Sequence, residues 1–246
     1  MINRRQLVII ANNGSSTGNF LPGVQEDVEN YRDFFRSNEG GAWDDSEIVP
    51  KHCGWTESDL IGHLSNCKTL GIDYCLIVFT GHGYFCNNSP VFELSSGNEV
   101  SLEKIKQAVW DCRCLMIADS CQKIHTVSEN LMLSKSFSFS SSAYGRMFYV
   151  QAYNALLEQV TPHSFTFASA VSKDEEAIDT DRGGLYSSSL LAAASRIKSS
   201  SFLSRVWSIK DVHDQAIAGV RTGSANRQHP QITTNSLHWP PFLIKL

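Results

Sequence analysis

Short apolar runs alternate with amphipathic stretches along most of this 246-residue chain, and that alternation constrains its fold most strongly. The runs Leu7 to Ala11, Leu76 to Phe79 and Leu115 to Ala118 have the length and continuity of strands that are buried on both faces. Between the first two runs, residues 24–35 place apolar side chains at spacings of three and four, as one face of a helix does. The pattern predicts an α/β protein with a mainly parallel sheet, folded as one compact domain.

The remaining elements follow from the same periodicities and from capping residues. Thr56 and Ser101 each stand where the N-cap of a helix is expected. The serine-rich stretch 134–142 is predicted to be a mobile connection, because serine favours local hydrogen bonds in loops. Further predictions are strands at 47–50, 165–168 and 231–234, a hairpin within 92–100, and helices at 147–159, 190–197 and 206–220.

The composition argues against several classes of function. The formal net charge of -4 offers no attraction for nucleic acid or for an anionic membrane surface. No stretch approaches eighteen consecutive apolar residues, and the first run is too short for a signal peptide, so we expect a cytoplasmic protein. The seven cysteines form no paired CxxC motifs, which favours reduced and mostly buried thiols over a disulfide framework or a structural zinc site.

Two predicted neighbouring strands end in residues that carry chemistry. Gly81-His82-Gly83 follows one strand, and Asp119-Ser120-Cys121 follows the next. The carboxyl ends of parallel strands share one edge of a sheet, so His82 and Cys121 are expected to lie side by side there. An imidazole beside a thiol can activate it as a nucleophile. A turn histidine or an inert cysteine is the commoner explanation for either residue alone, but the pairing favours catalysis.

Several segments together resemble the caspase and metacaspase family of cysteine peptidases. They are "LPGVQEDV" (21–28), "FTGHG" (79–83), "DSC" (119–121), "ASAVSKDEEAID" with "GGLYSSSLL" (168–191), and "HPQ" (229–231). The chain is more similar to metacaspases and bacterial caspase-like peptidases than to animal caspases, because Asp119 stands where the animal enzymes have Gln. The resemblance implies a three-layer caspase-like fold, with a mainly parallel sheet of about six strands and helices on both faces.

The same resemblance implies a role for individual residues. His82 matches the catalytic base and Cys121 the nucleophile, while the backbone amides of Gly83 and Cys121 match the oxyanion donors. No cofactor is implied. A role in regulated cell death or defence also follows from the family alone.

The resemblance also implies a substrate class. Asp27, Asp119 and Thr80 match residues that line the metacaspase S1 pocket, which implies protein or peptide substrates cut after Arg or Lys. Two carboxylates suit a guanidinium or an ammonium group. For Asp27 an equally good explanation is a carboxylate in the first turn of a helix, stabilised by the helix dipole.

The chain departs from the metacaspase pattern in two places. Gln122-Lys123-Ile124 replaces the usual His-Ser-Gly after the nucleophile, which removes a glycine from the loop of the oxyanion donors. The acidic cluster that binds calcium in many metacaspases is not evident, so we expect no metal. The acidic run 174–181 is more typical of a solvated loop than of a metal site.

By the same resemblance the chain divides into a large-subunit-like part (1–121), a linker region (122–159) and a small-subunit-like part (160–246). Lys123, Lys135 and Arg146 are candidate points of self-cleavage in the linker. The main alternative is a non-catalytic regulatory or scaffold protein that keeps the fold, since the residues after Cys121 are altered. A small-ligand binder is the third possibility, but no glycine-rich phosphate or dinucleotide motif supports it.

Overall fold

The computed structural model describes residues 4–14, 19–95, 97–120, 145–200 and 205–246. Its strands are β1 (Arg5–Asn12), β2 (Tyr74–Gly81), β3 (Gly83–Cys86), β4 (Ser89–Glu93), β5 (Glu99–Ser101), β6 (Arg113–Asp119), β7 (Phe165–Ser169), β8 (Asp179–Thr180), β9 (Gly183–Gly184), β10 (Arg205–Ser208), β11 (Gln231–Thr234) and β12 (Pro241–Lys245). Its helices are α1 (Gly23–Arg36), α2 (Glu57–Ser65), α3 (Leu102–Ala108), α4 (Arg146–Leu157), α5 (Leu185–Ser200) and α6 (Ile209–Gly223).

The central sheet has the order β1-β2-β6-β7-β11. The first four of these strands run parallel to their neighbours, and β11 pairs antiparallel to β7 at one edge. Pro230 directly precedes β11, where a missing N–H is tolerated. The mainly parallel α/β architecture is therefore confirmed, with five strands in the central sheet among the described residues.

Helices cover both faces of the sheet, because the side chains of its strands alternate between two cores. One core joins α1, α4, α5 and α6 to residues such as Leu76 and Leu115, and the other joins α2 and α3 to residues such as Ile77 and Met116. Odd and even strand positions thus face different layers. The alternation carries forward to the strand ends, where Thr80 and Asp119 face the layer that contains α1 and α5.

Several elements differ from the sequence predictions. The predicted strand at 47–50 is a 3₁₀ turn (Asp45–Glu47) followed by a single bridge from Ile48 to Leu7, because Asp44 and Glu47 form a capping box that turns the chain. The predicted helix at 206–220 begins later, since β10 pairs with β12 and Ser208 then caps α6. Strand β12 itself was not predicted.

Other local predictions are confirmed. Thr56 and Ser101 cap α2 and α3 through their side chains, and the predicted hairpin is part of a small sheet with the order β3-β4-β5. The serine-rich stretch 134–142 lies outside the described residues. None of the helices within the described ranges is long and apolar enough to cross a membrane.

Candidate active site

The adjacent strands β2 and β6 end together at one edge of the sheet. Their register pairs Thr80 with Asp119, the last pair before the strands separate. Gly81 follows with φ of 142°, and a Cβ at this position would lie 2.5 Å from the carbonyl oxygen of Asn12 on β1. Glycine is required here because any side chain would strike the neighbouring strand. The close approach of β1 and β2 thus explains the first glycine beside His82.

His82 projects towards the segment that leads into α1. Its Nε2 lies 2.6 Å from the carbonyl oxygen of Asn19. A carbonyl oxygen only accepts, so Nε2 carries the proton in this hydrogen bond and Nδ1 is the ring nitrogen left to accept one. The bond therefore fixes both the orientation and the tautomer of the imidazole.

Gly83 begins β3 and pairs with Phe92 of β4. The Glu93 N–H donates to the His82 carbonyl oxygen at 3.0 Å, so these two residues form a hydrogen-bonded pair of the antiparallel ladder. The following pair, Gly83 and Phe92, is therefore a non-hydrogen-bonded pair. The Gly83 N–H consequently points away from β4. A Cβ on Gly83 would lie 2.8 Å from the Val91 carbonyl and 3.2 Å from the Ser120 side chain. Gly83 is therefore packed against the residue that immediately precedes Cys121.

Asp27 is buried beside β2 and not exposed on its helix. It is 1% exposed, and its Oδ2 accepts hydrogen bonds from Thr80 Oγ1 at 2.6 Å and from the Gly184 N–H at 3.0 Å. The interpretation of Asp27 as an ordinary first-turn carboxylate does not describe these contacts. Asp27 instead joins α1 to β2 and to the turn before α5.

Asp119 is the second buried carboxylate of this edge, with 5% of its surface exposed. Its Oδ2 accepts from the Ser187 N–H at 2.8 Å, in the first turn of α5. Gly184 lies so close to this carboxylate that an added Cβ would be 2.2 Å from Oδ2. The two carboxylates therefore lie on either side of the Gly183-Gly184 turn, where a larger residue would not fit.

Asp179 is a third carboxylate at this edge, and the sequence reasoning did not select it. Its Oδ2 accepts from the Gly23 N–H, the first residue of α1, at 3.1 Å. Asp179 is partly exposed, unlike the buried pair. In the sequence it stands within an acidic run that is typical of a solvated loop, so only its long-range contact with Gly23 distinguishes it from its neighbours.

The pKa values of all three carboxyl groups are raised. Burial is the largest cause for each of them, and the charge of Asp119 adds to the increase at Asp27. The pKa of Asp179 reaches about 6, although the Gly23 N–H and the charge of His82 oppose the rise. Carboxylates that resist ionisation in this way gain most from a cationic neighbour.

The other predicted residues are placed as follows. Cys121, Lys123 and Lys135 lie outside the described residues. Arg146 is the first residue of α4, and its guanidinium donates to the carbonyl oxygens of Arg36 and Trp43. Within the described ranges, no group of three or more His, Cys, Asp or Glu side chains is arranged to hold a metal ion.

The chain is similar to known proteins in sequence and in fold. It matches the caspase-domain family model over residues 4–239. Its fold is similar to protein GSU0716 from Geobacter sulfurreducens, with a TM-score of 0.60 and 14% identity over 99% of this chain and 100% of that one. It is also similar to caspase-1 from Spodoptera frugiperda, with a TM-score of 0.58 and 11% identity over 94% of this chain and 86% of that one. Among curated proteins, none matches this sequence. Because the family model covers nearly the whole chain, this protein belongs to the caspase-domain family of cysteine peptidases.

Proposed function

We propose that this protein is a cysteine endopeptidase that uses a His82–Cys121 dyad and cleaves after Arg or Lys. One observation carries the proposal: β2 and β6 are in register up to Thr80 and Asp119, and each proposed catalytic residue follows its member of that pair by two positions. A step of two keeps side chains on the same face of a strand. The spacing of two therefore supports a His82–Cys121 dyad on the face where Thr80 meets Asp27.

The proposed reaction begins with the thiol of Cys121. Its proton passes to Nδ1 of His82, and the sulfur attacks the carbonyl carbon of the scissile bond. The imidazolium then gives the proton to the departing amine, which leaves a thioester on Cys121. A water molecule, deprotonated by His82, attacks the thioester carbonyl and releases the carboxylic acid. The bond from Nε2 to Asn19 supports this role because it leaves Nδ1 as the acceptor throughout.

The negative charge that develops on the carbonyl oxygen needs hydrogen-bond donors. We assign this role to the backbone N–H groups of Gly83 and Cys121. The non-hydrogen-bonded pairing of Gly83 with Phe92 supports the assignment, since it directs the Gly83 N–H away from β4. Gly83 also lies against Ser120, the residue before Cys121, which supports a shared role of the two amides.

Three carboxylates at the same edge of the sheet support a preference for a basic residue before the scissile bond. Asp27 and Asp119 form the buried base of the proposed S1 pocket, and Thr80 orients Asp27 through its hydroxyl. Asp179 is the more exposed member of the three. An incoming guanidinium would meet Asp179 first and would offset the burial and the charge repulsion that raise the pKa of Asp27.

Self-processing in the linker region remains part of the proposal, with Lys123 and Lys135 as its favoured points. Arg146 is less suited to cleavage, because its side chain is bound by two carbonyl oxygens and the bond that follows it lies inside α4. Proteolysis acts on exposed and extended backbone.

The direct test uses fluorogenic peptides that end in Arg, Lys, Asp or Gln before the reporter group. We expect the wild-type protein to release the reporter from the Arg and Lys peptides only. Cys121→Ala and His82→Ala should each lower kcat/KM by at least about 1,000-fold, whereas Cys86→Ala, at an exposed thiol of β3, should leave it unchanged.

Two results would overturn the proposal. Turnover that survives Cys121→Ala excludes the nucleophile, and cleavage confined to Asp peptides excludes the acidic S1 pocket. If the wild type is inactive on all four peptides, a chloromethyl ketone with P1 Arg supplies the deciding measurement. Failure of this probe to label Cys121, seen as no mass increase on the peptide that contains it, contradicts the dyad.

A further inference from the structure

The loop that leads from β7 to Asp179 is held by residues from a distant part of the chain. This loop covers residues 170–178, and Asp179 begins β8 directly after it. Its partners lie in the segment between α6 and β11. Four residues form these contacts, and we call them the loop clamp: Ser172, Glu175, Gln228 and His229.

Gln228 joins the two ends of the loop. Its side chain is fully buried, with Nε2 donating to the Ala170 carbonyl oxygen at 3.0 Å and Oε1 accepting from the Ile178 N–H at 3.1 Å. The backbone N–H of Gln228 donates to Ser224 Oγ at 3.1 Å, at the C-cap of α6. Ala170 in turn donates to the Ala118 carbonyl oxygen of β6 at 2.9 Å. A buried amide that uses both its oxygen and its nitrogen has a single orientation, so Gln228 fixes the end of the loop relative to the sheet.

Glu175 and His229 hold the middle of the loop. Glu175 Oε2 accepts from the backbone N–H groups of Ser172 at 3.1 Å and of His229 at 2.9 Å, and Oε1 accepts from His229 Nδ1 at 2.7 Å. Ser172 Oγ donates to the His229 carbonyl oxygen at 3.1 Å. A carboxylate only accepts, so Nδ1 of His229 carries the proton. The loop is therefore bound along its length to the residues that precede β11.

The loop clamp reaches Asp179 through Ile178. The Ile178 N–H is held by Gln228, and the Ile178 carbonyl oxygen accepts from the Leu185 N–H at 2.8 Å. The residue before Asp179 is thus bonded on both sides. Asp179 Oδ2 then accepts from the Gly23 N–H at 3.1 Å. A displaced loop would consequently displace this carboxylate from the start of α1.

We propose that Gln228 and Glu175 are positioning residues for Asp179, and that they make the S1 pocket prefer Arg to Lys. This role rests on the proposed function, in which Asp179 is the first carboxylate to meet the substrate cation. A guanidinium is planar and binds a carboxylate through two parallel N–H groups, so it requires the oxygens at fixed places. An ammonium is a compact charge on a flexible stem, and it tolerates a displaced carboxylate. A fixed Asp179 therefore favours Arg more than Lys.

The test measures kcat and KM separately for fluorogenic peptides that end in Arg or Lys. The Glu175 side chain is 23% exposed, so Glu175→Ala releases the middle of the loop without opening a core. We expect this variant to lower kcat/KM for the Arg peptide about 10-fold, mainly through a higher KM, and that for the Lys peptide less than about 3-fold. A role confined to stability would change both peptides alike.

Two control variants separate position from charge. Glu175→Gln keeps a side-chain oxygen for the two backbone N–H groups, and its amide can donate to His229 Nδ1 once the imidazole proton moves to Nε2. It should retain the wild-type ratio of Arg to Lys turnover. Glu176→Ala removes a carboxylate from the same loop but outside the loop clamp, and it should also retain that ratio.

Gln228→Leu provides a second, independent measurement. It removes both side-chain bonds of Gln228, so it should lower the ratio of Arg to Lys turnover about 10-fold and speed amide exchange in residues 170–179. Glu175→Ala decides the question by itself if Gln228→Leu does not fold.

The outcomes distinguish this role from the proposed function. Equal losses for both peptides in Glu175→Ala, an unchanged ratio, or a Glu175→Gln variant that behaves like Glu175→Ala would overturn the positioning role and leave the peptidase intact. If the wild type cleaves neither peptide, calorimetry with agmatine and 1,5-diaminopentane replaces turnover, and Glu175→Ala should weaken agmatine alone about 10-fold. Binding of neither cation to the wild type would overturn the acidic pocket and the positioning role together.

Discussion

Asp27→Asn removes one negative charge from the buried acid pair and preserves the shape of the side chain. Asp27 Oδ2 accepts from Thr80 at 2.6 Å and from Gly184 at 3.0 Å, and an amide oxygen in the same place can accept both bonds. We therefore expect the variant to fold with its contacts intact and without the cost of a buried charge.

The gain in the free energy of unfolding should depend on pH with a definite sign. Burial and the charge of Asp119 raise the pKa of Asp27 well above its ordinary value of 3.8. The folded wild type thus binds the proton more tightly than the unfolded chain, and it loses stability as the pH rises from 3.8 to the raised pKa. Each pH unit in that interval is worth about 1.4 kcal/mol, so the gain should be near zero at pH 4 and should increase with each higher pH until the raised pKa is passed.

The same substitution should lower activity while it raises stability. A charge-assisted bond to a guanidinium is worth about 1.5–3 kcal/mol, so kcat/KM for Arg peptides should fall about 10- to 100-fold. Asp33→Asn is the matched control, because Asp33 is an exposed carboxylate on the same helix α1. It should change the free energy of unfolding by less than about 0.5 kcal/mol and leave kcat/KM unchanged.

Urea unfolding, followed by tryptophan fluorescence at pH 4, 6 and 7.5, measures the first effect, and peptide hydrolysis measures the second. The reasoning is refuted if Asp27→Asn is less stable than the wild type at pH 7.5 and retains full kcat/KM. That pair of results would identify Asp27 as a structural anchor between α1 and the start of α5.

Three further predictions concern the same edge of the sheet. Gly81→Ala should destabilise the protein by about 2–4 kcal/mol, because its Cβ would strike the Asn12 carbonyl oxygen at a φ of 142°. Gly62→Ala, in the open middle of α2, should instead stabilise it by up to about 1 kcal/mol. Equal urea midpoints for the two variants would contradict this prediction. Thr80→Val should cost about 2 kcal/mol at pH 7.5 in the same assay, since it leaves a buried carboxylate without its hydroxyl donor; a neutral effect would mean that the 2.6 Å bond contributes nothing. The affinity for agmatine, a guanidinium that stays charged, should weaken about 10-fold per pH unit below about pH 6. The carboxylates of the pocket become protonated there, since their pKa values are raised, to about 6 for Asp179. A dissociation constant that does not change from pH 5 to pH 7.5 in calorimetry would count against a cationic ligand.

Much of the central architecture follows from local patterns. Continuous apolar runs predicted β1, β2, β6 and β7, and capping residues placed the starts of α2 and α3. The errors arose where a short segment could take either form. Residues 206–208 were predicted as the start of a helix, but they pair with β12 and form a strand. The segment itself contains no signal for this distant partner.

By itself, the sequence determined the α/β class, the succession of its main strands along the chain and the neighbouring positions of the strands that precede His82 and Cys121. These features depend on periodicity and on residues adjacent in the chain, so they can be read locally. Only the tertiary structure decided which carboxylates share the edge with His82. Asp179 reaches that edge through Gly23, which is 156 positions away in the sequence, and Asp27 becomes a buried acid because β2 and the Gly183-Gly184 turn close over it. Burial raises the pKa values of both groups, and the charge of Asp119 adds to the rise at Asp27, so these causes exist only once the chain has folded.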